Sequence, residues 1–221
     1  NNNSLEIDFI DSEDITKNNI KRLKNLQGIV VPGGFGNRGV EGKILAANFA
    51  RVNHIPYFGI CLGMQISVIE FARNILGLKD ANSTEFDLKT PFPVISLVTE
   101  WDDYKKGKLK GSLHQMGGTM RLGAQSCTLM KKTLAHSLYK KNIISERHRH
   151  RYEVNNKFVD QFNETDLVFS GYSGNKDLME MLELKHHPWY LASQFHPEFT
   201  SSPLKGHPLF NSFIKTAYET K

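Results

Sequence analysis

The chain is 221 residues long, with 39% hydrophobic residues and a formal net charge of +5, which is enough apolar content to bury one substantial core and too much for a disordered chain. No apolar stretch reaches the roughly 20 residues needed to cross a bilayer, and no N-terminal charged-then-apolar segment reads as a secretory leader, so a cytoplasmic location is expected. Cys61 and Cys127 are the only cysteines; with unrelated settings and no C-x-x-C pair, they suggest no disulfide framework and give no zinc or thioredoxin-like signal.

Hydrophobic periodicity then gives alternating strands and helices. Residues 5–10 alternate as a half-buried strand, and 15–26 carry Ile15, Ile20, Leu23 and Leu26 at roughly helical spacing. A β-branched strand at 28–31 stops at Pro32 and runs into Gly33-Gly34-Phe35-Gly36. An amphipathic helix at 42–52, a strand at 56–60 and a helix at 64–76 closed by Gly77 follow. This order predicts an α/β fold with a mostly parallel central sheet flanked by helices, its reactive groups at the carboxyl ends of the strands. After Pro91 strands dominate, at 94–98, 118–122, 167–172, 179–184 and 190–195, with less regular helices at 131–139 and 156–162 and a final helix at 208–220. Neither an internal repeat nor a domain-scale linker interrupts the chain, so 1–221 is expected to form one domain.

Three segments carry chemistry. Cys61 follows the apolar strand at 56–60 and opens the next helix, a sharp turn that lifts a side chain out of a sheet; a helix N-terminus there favours a thiolate. Burial as a small hydrophobe is the commoner fate of a lone cysteine, and Cys127, in a strand-like stretch, is read that way. Adjacent glycines after Val31 let backbone N–H groups approach a ligand, as stabilising an oxyanion requires; without the Lys-Ser/Thr of a P-loop or a dinucleotide fingerprint, the turn carries no phosphate signature. In Gln194-Phe195-His196-Pro197-Glu198-Phe199, a histidine and a carboxylate two residues apart on extended chain share one face. A thiol needs a base, and the base needs an orienting acceptor: Cys61, His196 and Glu198 supply that set if the fold unites them.

The basic runs offer less. Lys105-Lys106-Gly107-Lys108-Leu109-Lys110 reads as a solvated loop. In Arg147-His148-Arg149-His150-Arg151 an extended strand would put the arginines on one face and the histidines on the other. No carboxylate or cysteine stands nearby at ligand spacing and no aromatics interleave to stack bases, so neither a metal nor a nucleic-acid site is expected.

The Gly33-Gly34-Phe35-Gly36 loop, the Gly59-Ile60-Cys61-Leu62-Gly63-Met64-Gln65 elbow and the Gln194–Phe199 segment, in that order, resemble the class I, triad-type glutamine amidotransferases. More narrowly, Asp80-Ala81-Asn82-Ser83-Thr84-Glu85-Phe86, Met116-Gly117-Gly118-Thr119-Met120-Arg121-Leu122-Gly123 and the run from Glu146 to Asn155 resemble the glutaminase domain of CTP synthases, over about residues 10–213. The resemblance implies a flavodoxin-like architecture and hydrolysis of L-glutamine to glutamate and ammonia through a cysteinyl thioester. The ammonia would serve a separate synthetase domain that aminates UTP to CTP with ATP. Residue by residue it implies Cys61 as nucleophile, His196 as base and acid, and Glu198 as the partner orienting His196. The N–H groups of Gly34 and Leu62 would form the oxyanion hole, Leu62, Gly63, Met64 and Gln65 would line the glutamine pocket, and Glu85 and Arg151 would hold the amino-acid end of the substrate. Free glutamine carries an ammonium and a carboxylate, which suits one anion and one forked cation.

The resemblance also implies no cofactor in this domain, ATP and Mg2+ in the synthetase domain, and GTP as an allosteric activator near the lysine run. Its partners would be L-glutamine, the synthetase domain of the same protein and, at full length, further copies in a tetramer, with no nucleic acid and no membrane. The family's first strand and helix and its amidoligase domain are missing upstream of Asn1, so the chain reads as a fragment. Two other classes use such features: a stand-alone thiol peptidase or γ-glutamyl hydrolase of the same fold, disfavoured by Glu85 and Arg151, and a non-catalytic regulatory or filament-forming module, disfavoured by an intact Cys61, His196 and Glu198.

Overall fold

The computed structural model describes residues 4–97, 100–103, 107–110, 120–174 and 178–220, with backbone alone for 100–103 and 107–110. The first half is a tight βαβα unit: β1 (Ile29–Val31), α1 (Val40–Val52), β2 (Tyr57–Ile60) and α2 (Leu62–Asn74). All four residues of β2 are buried, and α2 is buried from Leu62 to Ala72, so the two form the centre of the core. A short β3 (Ala81–Ser83) and β4 (Phe92–Leu97) follow, then the hairpin of β5 (Glu100–Asp103) and β6 (Gly107–Lys110). The second half contains β7 (Arg121–Leu129), α3 (Leu134–Tyr139), β8 (Ile143–His150), β9 (Tyr152–Val154), α4 (Asn156–Asn163), β10 (Leu167–Ser173), β11 (Leu178–Leu184), β12 (Tyr190–Ser193) and α5 (Pro208–Glu219).

The central seven-stranded sheet has the order β1-β2-β12-β11-β10-β7-β8, and β3-β4-β9 form a small second sheet. Of the central pairings only β1–β2 and β2–β12 are parallel; those beyond β12 are antiparallel. Successive reversals still leave β1, β2, β12, β10 and β8 pointing one way. Most important for the site, β12 lies beside β2 with Ser193 opposite Ile60. Two segments far apart in sequence therefore leave the sheet side by side at the same edge, and the Cys61 N–H donates to the Ser193 carbonyl at 2.7 Å.

Several sequence expectations change. Residues 5–10 form no strand: Leu5, Ile7 and Phe9 are exposed, Phe9 to 93%, and among the described residues no neighbouring strand offers the ladder that alternation needs. At 15–26 there is no α-helix. Asn19 accepts the Thr16 N–H at 2.8 Å and donates to the Asp14 carbonyl at 2.6 Å, which diverts the backbone into a turn before a short 3-10 segment, Ile20–Asn25. The helix expected at 131–139 starts at Leu134, because Lys132 adopts a φ of 66° and Thr133 caps the first turn by accepting the His136 N–H. Of the lysine run read as a loop, residues 107–110 are strand β6 and Lys105 and Lys106 lie outside the described residues. The strand expected at 118–122 begins at Arg121 and continues to Leu129; residues 118 and 119 lie outside the described residues, as does 98 of the strand expected at 94–98. The strand expected at 190–195 ends at Ser193, and β3 and β9 were not foreseen. Cys61 and Cys127 are both free thiols, and no described helix is long and apolar enough to cross a membrane.

Candidate active site

Cys61 occupies the N-cap of α2 with φ 52° and ψ −101°, a left-handed conformation that is strained for any residue with a Cβ. The surrounding backbone leaves no room for relief. A Cβ on Gly63 would stand 2.1 Å from the Val31 carbonyl oxygen, and one on Gly59 would stand 2.6 Å from the Gly63 carbonyl oxygen, so glycines let β1, β2 and the first turn of α2 close on one another. The thiol is buried. It donates to the Arg149 carbonyl at 3.9 Å and lies 3.7 Å from Nε2 of Gln194. Burial pushes the Cys61 thiol up to about 12, against the pull of the Leu62 N–H, and Glu153, Glu198 and Glu85 add to the rise. The helix N-terminus pulls toward thiolate through the Leu62 N–H, as its position suggests, but does not prevail over burial. Desolvation outweighs the dipole, and the sulfur needs a base.

His196 emerges from β12 two residues past Gln194. Its Nδ1 contacts Glu198 Oε1 at 2.6 Å, and its ring stacks on Phe199 with centroids 4.8 Å apart. A carboxylate can only accept, so Nδ1 carries the proton and Nε2 holds a free lone pair; Nε2 is buried with no hydrogen-bond partner. Gly33 locates this ring against the thiol. A Cβ placed on Gly33 would be 2.7 Å from His196 Cε1 and 3.6 Å from Cys61 Cβ, so these two atoms can be no more than 6.3 Å apart. Gly34 abuts the Leu62 side chain in the same way, at 3.2 Å. The structure thus brings Cys61, His196, Glu198, Gly34 and Leu62 into one place.

The glycine loop is tied down by Glu85, whose Oε1 accepts the Gly36 N–H at 2.8 Å. Burial raises the Glu85 carboxyl, the Gly36 N–H and then the Arg151 charge oppose the rise, and Glu85 acts in turn on Cys61. Glu85 and Arg151, distant in sequence, therefore share one side of the site. Met64 is wholly buried behind the elbow. Gln65 turns inward: its amide donates to the Tyr152 carbonyl at 3.0 Å and meets Gln194 Oε1 at 3.4 Å.

Sequence reasoning missed the layer beneath. Arg121 is 1% exposed and donates to Glu153, Glu180 at 2.7 Å and Gln125. His148 and His150 lie beside it, joined to each other at 2.8 Å and standing 3.6 Å from Glu180 and 3.4 Å from Glu153. Contrary to the sequence expectation, a carboxylate does stand near them along the chain: Glu153 is three residues past His150, and β11 adds Glu180 through space. Burial drives both imidazoles well below their ordinary value, so they are neutral, and no group of three His, Cys, Asp or Glu among the described residues is arranged to hold a metal ion. Burial also pushes the Glu153 carboxyl up to about 8, opposed by Arg121 and reinforced by Glu180. A carboxyl raised on folding adds stability that is complete below its unfolded value near 4.5 and is lost as pH climbs toward 8. Thermal melts are therefore expected to fall across that window, and Glu153→Gln, which cannot titrate, should flatten the slope; an unchanged slope would place the titration elsewhere.

A buried thiol at a strained strand-to-helix turn, an imidazole with one unpartnered nitrogen and a glycine loop packed against both are the parts that acyl transfer needs. The chain belongs to the class I glutamine amidotransferases: the family described as "Glutamine amidotransferase class-I" matches residues 2–216. In particular, it is similar to the Trypanosoma brucei CTPS (CTP synthase) glutaminase domain with bound acivicin, at 39% identity and a TM-score of 0.86, over 99% of this chain and 82% of that one. A Thermoplasma acidophilum protein described as a GMP synthase subunit is 18% identical with a TM-score of 0.56, over 95% of this chain and 78% of that one, a likeness of fold alone.

Proposed function

We propose that this chain is the glutaminase domain of a CTP synthase, that it hydrolyses L-glutamine to glutamate and ammonia through a thioester on Cys61, and that a synthetase domain of the same protein uses the ammonia to aminate UTP to CTP with ATP and Mg2+. The observation that carries the chemistry is the arrangement at His196: Nδ1 held by Glu198, Nε2 buried and unpartnered, and the ring packed with Cys61 on the same face of Gly33. Nε2 takes the Cys61 proton as sulfur attacks the side-chain carbonyl of glutamine. The oxyanion of the tetrahedral intermediate is met by the N–H groups of Gly34 and Leu62. Its C–N bond breaks as the imidazolium returns the proton to nitrogen, releasing ammonia, and a water deprotonated by the same nitrogen then cleaves the thioester to glutamate. Glu198 stabilises the imidazolium throughout, while Glu85 and Arg151 receive the ammonium and carboxylate of the substrate; of the residues expected to line the pocket, Leu62 lies against the glycine loop, whereas Gly63, Met64 and Gln65 back the elbow from the core side instead of facing the substrate. The similarity to the trypanosomal domain supports the synthase assignment, and with it GTP as an activator, a tetramer at full length and a cytoplasmic location.

Incubation with L-glutamine should release equal glutamate and ammonia, and acivicin, which the trypanosomal domain binds, should protect Cys61 from alkylation. Cleavage of γ-glutamyl peptides with no action on free glutamine would overturn the proposal in favour of a hydrolase. Gly33→Ala tests the geometry. Its methyl would press on His196 from an exposed loop position, so the variant should melt with the parent while glutamine hydrolysis falls on the order of 100-fold, the effect of shifting a catalytic group by about 1 Å.

A further inference from the structure

The sulfur of Cys61 has a neighbour outside the triad. Gln194 is completely buried, and its side-chain amide ends 3.7 Å from Cys61 Sγ. Which end of the amide faces the sulfur follows from a chain of hydrogen bonds whose polarity has one solution. The Tyr152 carbonyl can only accept, so the atom of Gln65 that meets it at 3.0 Å is the NH2 group. The same NH2 group is 3.4 Å from the end of Gln194, which must then be the carbonyl oxygen. The opposite end of Gln194, turned to the sulfur, is consequently its NH2. Reversing either amide would put two donors or two acceptors face to face in a buried site, leaving groups unpaired at appreciable cost.

The sulfur thus sits between opposite polarities. The Arg149 carbonyl, 3.9 Å away, can accept from the S–H of the neutral thiol but repels a thiolate. Gln194 Nε2–H does the reverse, on the same side of the balance as the Leu62 N–H. When the proton leaves for His196 Nε2, the developing charge exchanges one carbonyl acceptor for two N–H donors already in place, so no group need reorient as charge appears.

We infer that Gln194 is a further catalytic residue, a fixed hydrogen-bond donor to the Cys61 thiolate, and that Gln65 and the Tyr152 carbonyl are the positioning groups that hold its amide in the donating orientation. The inference deepens the glutaminase reading and rests on Cys61 being the nucleophile, yet its main test needs no glutamine. Iodoacetamide alkylates thiolate alone, and peptide mass spectrometry separates Cys61 from the buried Cys127, which reports on the fold. At a fixed pH near 8, Gln194→Leu should slow alkylation of Cys61 by about 10-fold or more, the loss of one hydrogen bond to a charged group, with Cys127 still protected. Gln194→Glu keeps the shape of the side chain but turns an oxygen to the sulfur, and should be slower still. Gln65→Leu frees the Gln194 amide to rotate and should give a smaller fall in the same direction. Glutamine hydrolysis should fall in kcat with KM little changed, since the donor acts on the sulfur. Parent-like alkylation of Cys61 in folded Gln194→Leu or Gln194→Glu overturns the inference. If Gln194→Leu exposes Cys127, Gln194→Glu decides, and if both do, parent-like alkylation in Gln65→Leu counts against it. A parent protein inert toward glutamine but showing these alkylation differences would refute the glutaminase reading and leave the role of Gln194 standing.

Discussion

Cys61→Ala is expected to lower glutamine hydrolysis by at least roughly 10⁴-fold, as removal of a nucleophile from a triad does, while the protein unfolds close to where the parent does. The removed sulfur's hydrogen-bond contacts to the Arg149 carbonyl and the Gln194 amide are long and weak, and alanine meets the same φ of 52° that cysteine already bears. Fold and chemistry should therefore separate cleanly in this variant. Glutamate release measured over hours, alongside a thermal melt, makes the comparison; hydrolysis at a tenth of the parent rate would remove Cys61 from the mechanism altogether.

Arg121→Met is expected to do the opposite and act on stability first. The guanidinium is all but inaccessible and sits between Glu153 and Glu180. Burial works against its charge, but the two carboxylates outweigh that and keep it protonated. Methionine fills much of the volume while leaving both acids without their counter-ion, a situation that costs about 3–5 kcal/mol. The deficit should shrink on acidification, because the Glu153 carboxyl, raised by burial, regains stability as it takes its proton. Urea unfolding at pH 7.5 and pH 5.5 measures both quantities. A deficit under about 1 kcal/mol at the higher pH would mean that the acids are already neutral or reach water. Activity should suffer as well, since Arg121 steadies Glu153, two residues from Arg151 and next to the Tyr152 carbonyl that orients Gln65.

Much of this was legible in the chain. The strand at 28–31, the helix at 42–52 and the elbow at Cys61 are local events, encoded by a β-branched run, helical periodicity and glycines where backbone must meet backbone. The sequence placed the thiol and the imidazole at strand ends and left their meeting to the fold; the parallel pairing of β2 and β12 brings them to one place. The buried layer under the site was not legible for the converse reason. Arg121, Glu153, Glu180 and the paired histidines come from β7, β9, β11 and β8, and no spacing along one strand records a contact made across several. Gln194 stood in plain view beside His196, but its role depends on Gln65 and Tyr152, whose proximity only the fold supplies. The N-terminal alternation misled because a strand is a property of two segments, and the described residues provide only one.

The side-by-side exit of β2 and β12 carries one more implication. Cys61 and Gln194 are 133 positions apart, yet the ladder between those two strands clamps their ends in fixed register. Where the intervening chain touches the site, through Gln65, Glu85, Arg149 and Tyr152, it is held to that register; elsewhere it can vary to suit a different companion module without disturbing the reacting atoms. The fold behaves as a socket with a permanent bit and interchangeable handles.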